Sequence, residues 1–149
     1  MTIREVMQTQ IITINKNLTY KEATQILLEH KISGAPVVDD QGKLVGMVSE
    51  KDLFKVLYPY YRSYYEHPED YVNFEEREHK AHDIQDHAVE TIMTKNLTTI
   101  SPSEKVMAAG GLMLARGIHR LPVMENGQLV GLVTRRDIYH SIFKKELGV

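Results

Sequence analysis

Apolar and polar positions follow the same order twice along the chain. The first copy opens with a short apolar run at residues 10–14, and the second copy opens with one at residues 97–100. In each copy the next apolar positions recur at i, i+3 and i+4, and two further apolar runs are joined by a turn. The positions at helical spacing are Ala23, Ile26, Leu27 and His30 in the first copy and Ala109, Leu112, Met113 and Arg116 in the second. Each copy therefore predicts a strand, a helix, a β-hairpin and a second helix.

The second halves of the two copies correspond almost residue for residue. Residues 32–52 return as residues 118–137, with one residue lost from the hairpin turn. The turn of the second hairpin is Asn126-Gly127, a pair that tolerates positive φ and strongly favours a two-residue hairpin. A single copy is too short to bury a stable core, so we expect the two copies to fold together. The sequence thus predicts an α/β (α+β) fold of two β-α-β-β-α repeats, packed as a pseudo-two-fold pair.

A segment of different character separates the two copies. We divide the chain into a first repeat at residues 1–57, an insertion at residues 58–90 and a second repeat at residues 91–149. Residues 70–87 carry a helical pattern, which predicts a helical insertion rather than a flexible linker. Its tyrosines suit packing or a subunit interface better than stacking on nucleic-acid bases, because no basic groove accompanies them. They are Tyr58, Tyr60, Tyr61, Tyr64 and Tyr65.

Composition and charge argue against several classes of partner. The net charge of −2 and the pI near 6.4 provide no basic surface for nucleic acid or for an anionic membrane. No apolar run approaches the ~20 residues of a spanning helix. The first repeat begins at Val6-Met7, which leaves no room for a signal peptide, and the absence of cysteine excludes disulfides. We expect a cytoplasmic protein without nucleic-acid or membrane partners.

A hydroxyl-x-x-carboxylate pair stands at the start of the last helix of each copy. The pairs are Ser49 with Asp52 and Thr134 with Asp137. Such a pair is typical of a capping box, which satisfies unpaired backbone N–H groups at a helix start. The same helix start also favours anions and hydroxylated ligands, and a carboxylate there can accept both hydroxyls of a ribose. Both roles stay open at this point, and they are compatible.

The duplicated pattern resembles a known family. Each copy runs from a strand and a helix through an apolar Pro-Val strand, an acidic turn with glycine and a second strand, to Ser/Thr-x-x-Asp. This order is similar to that of the cystathionine-β-synthase (CBS) domain, a pair of which is called a Bateman module. The resemblance implies a stand-alone regulatory module that binds an adenine nucleotide, such as AMP, ADP or ATP, in a cleft between repeats. It also implies a homodimer and an unknown effector protein regulated in trans.

The resemblance assigns roles to individual residues. The family's ribose-binding carboxylates correspond to Asp137 and Asp52, each beside a hydroxyl. The segment His119-Arg120 resembles the family's phosphate-contacting stretch, where arginine offers a two-pronged donor to phosphate. The expected ligand-binding residues are Asp137, Thr134, His119, Arg120, Thr99, Ile100, Arg135, Asp52, Ser49, Ile14 and Ala35.

The two copies differ in charge around these positions. The first copy has Ser33-Gly34 where the second has His119-Arg120, and Glu50-Lys51 where the second has Arg135-Arg136. We therefore expect the site around Asp137 to be the better nucleotide site.

Three alternatives remain. The fold could serve as a ligand-free dimeric scaffold, or it could bind S-adenosylmethionine. A metal-dependent enzyme is a third, using acidic and histidine side chains of the insertion, namely Glu75, Glu76, His79, His82, Asp83, Asp86 and His87. Because no Walker loop, dinucleotide fingerprint or activated nucleophile is present, we expect no enzymatic activity and no required cofactor.

The pair Gly110-Gly111 inside a helix is costly and indicates close packing against another helix or a ligand.

Overall fold

The computed structural model describes residues 1–58, Pro68 and residues 73–149. The helices in these residues are α1 Ile3–Val6, α2 Tyr20–Glu29, α3 Glu50–Lys55, α4 Phe74–Asp83, α5 Val106–Arg116 and α6 Arg135–Leu147, with a short 3₁₀ helix at Val89–Thr91. The strands are β1 Ile14–Asn15, β2 Gly34–Val38, β3 Leu44–Ser49, β4 Arg120–Glu125 and β5 Gln128–Thr134. The order β-α-β-β-α is confirmed in the first repeat, and the second keeps it with its first strand reduced to one pairing residue.

The chain folds into two compact units. The terminal unit comprises residues 1–12 and 97–149, and the central unit comprises residues 13–96. Each unit combines the hairpin of one repeat with the segment that precedes the first strand of the other repeat. We call residues 1–12 the first pairing segment and residues 84–96 the second pairing segment.

Both pairing segments attach to a hairpin in the same way. In the terminal unit, Gln8 pairs antiparallel with Leu132 of β5 through backbone bonds of 2.8 and 2.9 Å. In the central unit, Thr94 pairs with Met47 of β3 through bonds of 2.8 and 3.0 Å. The compact units therefore cross the repeat boundaries, because the second strand of each hairpin pairs with a segment from the other half of the sequence.

The first strand of each repeat is shorter than predicted. The expected strand at residues 97–100 is reduced to Ile100, which forms one parallel bridge with Val123. In the first repeat, the N–H of Lys16 extends the corresponding ladder with a bond of 2.9 Å to the carbonyl of Val38. The equivalent residue in the second repeat is Pro102, which has no N–H to donate, so the ladder stops.

A strand is also predicted at residues 10–14, and the predicted bounds of this strand are wrong. The strand is Ile14–Asn15, paired in parallel with Val37 and Val38 of β2. Residues 10–12 belong to the terminal unit, and residues 13 and 14 belong to the central unit. The apolar run therefore includes the point at which the chain passes from one unit to the other, and only its last residue lies in a strand.

Helix α4 is shorter than the pattern over residues 70–87 predicts, and it ends at Asp83. Beyond it, the carbonyls of Gln85 and His87 accept the first-turn N–H groups of Lys21 and Tyr20 at 3.1 and 2.7 Å. The chain thus leaves the helix and satisfies the start of α2, whose N–H groups have no partner within their own helix. Residues 70–72 of the predicted helix, and the tyrosines 60, 61, 64 and 65, lie outside the described residues.

Each unit has its own apolar core. Helix α2 buries Tyr20, Ala23 and Leu27 in the core of the central unit. Of the predicted helical face, Ile26 is half-buried and His30 is exposed, so the face is confirmed except at its last position. In the terminal unit, α5 packs against α6, and a Cβ on Gly110 would lie 3.3 Å from the Cγ2 of Ile138. The packing interpretation of the glycine pair therefore holds for Gly110.

Candidate ligand-binding site

The start of α6 carries the first candidate site. The backbone N–H and the hydroxyl of Thr134 both donate to Oδ2 of Asp137 at 2.8 Å, and the N–H of Asp137 donates back to the hydroxyl at 3.2 Å. This reciprocal capping box confirms the capping interpretation. It also fixes the carboxylate in one orientation at a helix N-terminus, where the helix dipole and free N–H groups favour anionic and hydroxylated ligands.

A side chain from the first pairing segment also binds this carboxylate. Nε2 of Gln8 donates to Oδ2 of Asp137 at 2.9 Å and lies 3.2 Å from Oδ1. The approach is possible because Gly131 has no side chain, which lets Met7 and Gln8 lie directly against β5. Asp137 therefore accepts hydrogen bonds from its own cap and from a residue distant in sequence.

Basic side chains lie at the same end of the terminal hairpin. Arg120 is the ladder partner of Thr134, and the N–H of Arg135 donates to the carbonyl of His119 at 2.9 Å. Nη1 of Arg135 also lies 3.4 Å from Nε2 of His119. The fold thus brings together four of the predicted residues, Thr134, His119, Arg120 and Arg135, around one helix start. Guanidinium and imidazole donors at a helix N-terminus suit a phosphate or carboxylate.

The start of α3 in the central unit repeats the capping geometry without basic counterparts of His119, Arg120 and Arg135, although Lys51 lies in its first turn. Ser49 donates to Oδ2 of Asp52 from its N–H at 2.9 Å and from its hydroxyl at 3.0 Å. The hydroxyl of Thr94, from the second pairing segment, lies 3.5 Å from Oδ1 of Asp52. Where the terminal unit has His119 and Arg135, the central unit has Ser33 and Glu50, joined by a backbone bond of 2.9 Å.

The remaining predicted residues lie on the strands that lead to these helix starts. The side chains of Ile14 and Ala35 are fully buried in the core of the central unit, and Ile100 is nearly buried in the terminal unit, whereas Thr99 is exposed. The backbone of Ile100 is bonded on both sides, to Pro122 at 3.0 Å and to Met124 at 2.9 Å. The side chains of Ile14 and Ala35 therefore act as core residues, and only their backbone could approach a ligand.

An open groove of about 350 Å³ borders Asp137 on α6. It is lined by Glu5, Val6, Arg136, Asp137, His140, Ser141 and Lys144. Hydrogen bonds from the N–H and hydroxyl of Thr2 hold the pKa of Glu5 below its usual value. The groove thus combines two carboxylates already engaged in helix caps with three basic side chains, Arg136, His140 and Lys144.

Sequence reasoning missed Gln8 and Thr94, the two residues that reach across to the acidic caps. A signal for them was available, because Gln8 and Thr94 stand at the same offset as Pro36 and Pro122. Aligning the repeats from their first residues, rather than from the hairpins, places the two side chains at one structural position.

Two further classes of site find no support in the described residues. Among residues 1–58, 68 and 73–149, no three His, Asp or Glu side chains come close enough to hold a metal ion. Within the same residues, no helix has both the length and the apolar character that crossing a membrane requires.

Comparison with known proteins identifies relatives of the whole described fold. A CBS domain-containing protein of Dictyostelium discoideum is 32% identical, over 95% of this chain and 91% of that protein. The chain spans only 40% of an uncharacterized protein of Methanocaldococcus jannaschii at 26% identity. It spans 14% of the A-adding tRNA nucleotidyltransferase of Aquifex aeolicus at 30% identity, so some relatives carry this region as a small part of an enzyme.

Two similar solved structures contain adenosine compounds. The CBS domain pair of protein MJ0100 was crystallised with 5′-methylthioadenosine and S-adenosyl-L-methionine; it is 26% identical with a TM-score of 0.74, covering 98% of each chain. CBSX2 in complex with AMP is 25% identical with a TM-score of 0.74, covering 97% of this chain and 98% of that one.

The family model for the CBS domain matches residues 3–59 and 89–144, the two repeats with their acidic helix starts. This chain therefore belongs to the CBS domain family and carries a tandem pair of these domains.

Proposed function

We propose that this protein is a non-catalytic regulatory module that binds an adenine nucleotide at the start of α6. In this proposal, Asp137 accepts the hydroxyls of the ribose. His119, Arg120 and Arg135 bind the phosphate, and Thr134 holds the carboxylate in place. The observation that carries the proposal is the grouping of these cationic residues with an oriented carboxylate at one helix N-terminus.

Capping alone does not account for this grouping. Helix α2 also begins with a capping box, in which Thr19 accepts from Glu22 and the carboxylate of Glu22 accepts from Thr19. That box has Lys21 in its own first turn, whereas Asp137 also has His119 and Arg120 of the preceding strand segment beside its helix start. The arrangement at α6 therefore adds ligand chemistry to a cap that is sufficient without it.

The solved relatives support an adenosine compound as the ligand class. CBSX2 binds AMP, and the MJ0100 domain pair binds 5′-methylthioadenosine and S-adenosyl-L-methionine. The cationic residues around Asp137 favour a phosphorylated ligand, because arginine pairs with phosphate through two parallel hydrogen bonds. S-adenosylmethionine is the alternative, since its carboxylate could use the same donors.

Regulation by such a ligand requires two states of the protein. A ligand shifts an equilibrium only by the difference between its affinities for the two states. We propose that binding at α6 favours one state of the module and that an effector protein recognises that state. The effector remains a prediction from the family resemblance.

A thermal-shift panel tests the ligand class directly. Ligand at about 100 times its Kd stabilises the folded state by about 2.7 kcal/mol, which corresponds to a shift of several degrees for a chain of this size. AMP, ADP, ATP and S-adenosylmethionine are each added to the full chain. A shift with a nucleotide supports the proposal, and no shift with any of the four contradicts it.

Matched variants then locate the site. Asp137→Asn removes the charge that accepts the ribose hydroxyls, and we expect at least a tenfold loss of nucleotide affinity by calorimetry. Asp52→Asn tests the corresponding position of the central unit, and a smaller loss is expected. Glu22→Gln alters a capping box away from both sites and should leave affinity unchanged. Equal losses for Asp137→Asn and Asp52→Asn would contradict the greater importance of the α6 site.

A ligand-free dimeric scaffold is the second candidate, and one surface favours it. On α5, Met107 and Leu114 are 68% and 73% exposed, and Gly111 lies between them on the same helix face. Large exposed apolar residues in one stripe are typical of a protein interface. A dimer formed through α5 would also be compatible with nucleotide binding, because α5 and the start of α6 present different residues.

A further inference from the structure

The carboxamide of Gln8 occupies part of the surface of Asp137 that a ribose would need. Its Nε2 lies 2.9 Å from Oδ2 and 3.2 Å from Oδ1 of the carboxylate. A donor placed between both oxygens of a carboxylate is in the position that a hydroxyl pair of a sugar takes when it binds the same group.

The remaining acceptor capacity of Asp137 is small. A carboxylate offers about four lone-pair positions, two on each oxygen. Oδ2 already accepts from the N–H and the hydroxyl of Thr134 as well as from Gln8. Oδ1 is the oxygen left for a ligand, and Gln8 shares it. Two ligand hydroxyls and the carboxamide of Gln8 cannot all be accommodated there with good geometry.

The central unit provides the comparison within the same molecule. Thr94 occupies the position of Gln8, but its hydroxyl lies 3.5 Å from Oδ1 of Asp52, at the limit of a hydrogen bond. Oδ1 of Asp52 therefore has a longer contact, 3.5 Å, than the 3.2 Å between Gln8 and Oδ1 of Asp137, in the same capping geometry. The difference in the contact made with Oδ1 arises from one residue of each pairing segment, Gln8 or Thr94.

The backbone of the first pairing segment does not have to move for Gln8 to leave. Two backbone bonds between Gln8 and Leu132 and the contact of Met7 with Gly131 hold the segment on β5. The residue is exposed, so the displaced carboxamide can be solvated by water. Displacement is thus a rotation of one side chain, with a modest free-energy cost.

We propose that Gln8 sets the affinity of the α6 site. Its carboxamide occupies the hydroxyl-binding oxygens of Asp137 in the free protein, and a ribose-containing ligand displaces it. This inference rests on the proposed function. It explains how the site with more cationic groups can still bind its ligand weakly enough to respond to changes in concentration.

Calorimetry with AMP on the full chain tests the displacement. Asp52→Asn is introduced first, so that the α6 site is measured alone, and Gln8→Ala and Gln8→Asn are then compared with this parent. Asparagine keeps the carboxamide but is too short to reach Asp137. Both variants should therefore bind AMP about 3- to 10-fold more tightly, the range for losing one competing hydrogen bond of typical net strength. Melting curves confirm that each variant is folded.

Two controls separate competition from a general structural effect. The ligand 2′-deoxyAMP lacks one of the two hydroxyls, so its affinity should rise less than that of AMP when Gln8 is removed. Thr94→Ala in an Asp137→Asn parent removes the matched side chain of the central unit, and less than a twofold change is expected there.

The outcomes distinguish the inference from the proposed function. Tighter AMP binding by both Gln8 variants, with a smaller gain for 2′-deoxyAMP, supports the inference. Unchanged or weaker AMP binding overturns it and leaves the proposed function standing. An equal gain for both ligands also overturns it, because displacement by the hydroxyl pair would not be involved. If AMP binds to neither parent nor variants, the inference fails, and the proposed function is judged on the four-ligand panel.

Discussion

Met7 packs directly on Gly131, so closely that a Cβ at Gly131 would lie 2.7 Å from the Sδ of Met7. The same Cβ would lie 3.0 Å from the backbone carbonyl oxygen of Gln8. Gly46 has the same relationship to Met93 and Thr94 in the central unit. The absence of a side chain at these two glycines lets each pairing segment lie on its hairpin and brings Gln8 or Thr94 to the acidic cap.

Gly131→Ala should therefore destabilise the protein. The new methyl group overlaps Met7, which can move, and crowds a backbone carbonyl, which is held by its bond to Leu132. Overpacking of this kind costs about 1–3 kcal/mol, measurable as a lower midpoint of urea unfolding. Gly46→Ala should behave alike. An unchanged midpoint for both variants would contradict the close packing of the pairing segments.

Gly111→Ala should have the opposite effect and serves as the matched control. No atom outside its own helix backbone and chain neighbours lies within 4 Å of a Cβ built there. Replacing a helical glycine by alanine raises the free energy of unfolding by up to about 1 kcal/mol. Gly110→Ala should gain less, because its Cβ would lie 3.3 Å from Ile138. Thermal unfolding compares the two, and an equal gain for both would show that the α5–α6 contact is not tight.

The repeats made most of the fold predictable, and the exceptions have specific physical causes. The helix starts at Ser49 and Thr134 and the turn at Asn126-Gly127, with φ of 53° and 76°, are local features that the sequence determines. The expected strand at residues 97–100 keeps one bridge, at Ile100, and its ladder does not continue to residue 102, because Pro102 lacks the N–H that Lys16 supplies in the first repeat. Hydrophobic patterns do not register a missing N–H.

The candidate site was predictable only in part, for a related reason. Asp137 and Thr134 are three residues apart, and their contact follows from helix geometry. The contact of Gln8 with Asp137 joins positions at opposite ends of the chain, through a pairing segment that crosses to the other repeat. Local spacing carries no information about such a contact, although alignment of the two copies does.

Tyr20 should make the stability of the central unit sensitive to alkaline pH. Its hydroxyl donates to the carbonyl of Leu53 at 2.6 Å, and burial raises its pKa above the ordinary value of 10.0. Because the folded-state pKa is raised, the stabilisation is fully present below the unfolded pKa and is lost as pH rises through the folded one. Absorbance titration of tyrosine, with Tyr20→Phe as the reference, measures the shift. A group titrating at the ordinary value would contradict it.

Tyr20→Phe should also lower stability at neutral pH. The variant leaves the carbonyl of Leu53 without its donor, which costs about 1–3 kcal/mol for a buried group. The loss should shrink above pH 10, because there the tyrosine ionises in the unfolded wild type before it does in the folded protein, which favours unfolding of the wild type. Urea unfolding at pH 7 and pH 10.5 tests this, and a loss that stays constant with pH would point to packing rather than to the hydroxyl.

Leu114→Glu should disrupt a homodimer formed through α5. Met107, Gly111 and Leu114 make an exposed apolar stripe, whereas the equivalent positions of α2 are Lys21, Gln25 and Leu28, of which only the last is apolar. A carboxylate buried in an apolar interface loses its hydration without a partner, so we expect at least a tenfold weaker dimer. Light scattering after size exclusion measures this change, and Leu28→Glu, which adds the same charge at the matched position, should leave the dimer intact.

A monomeric wild type, or an unchanged dimer in Leu114→Glu, would contradict assembly through this face. If Leu28→Glu also dissociated the dimer, the interface would include α2 as well as α5, because the added charge would then disrupt the dimer at both matched positions.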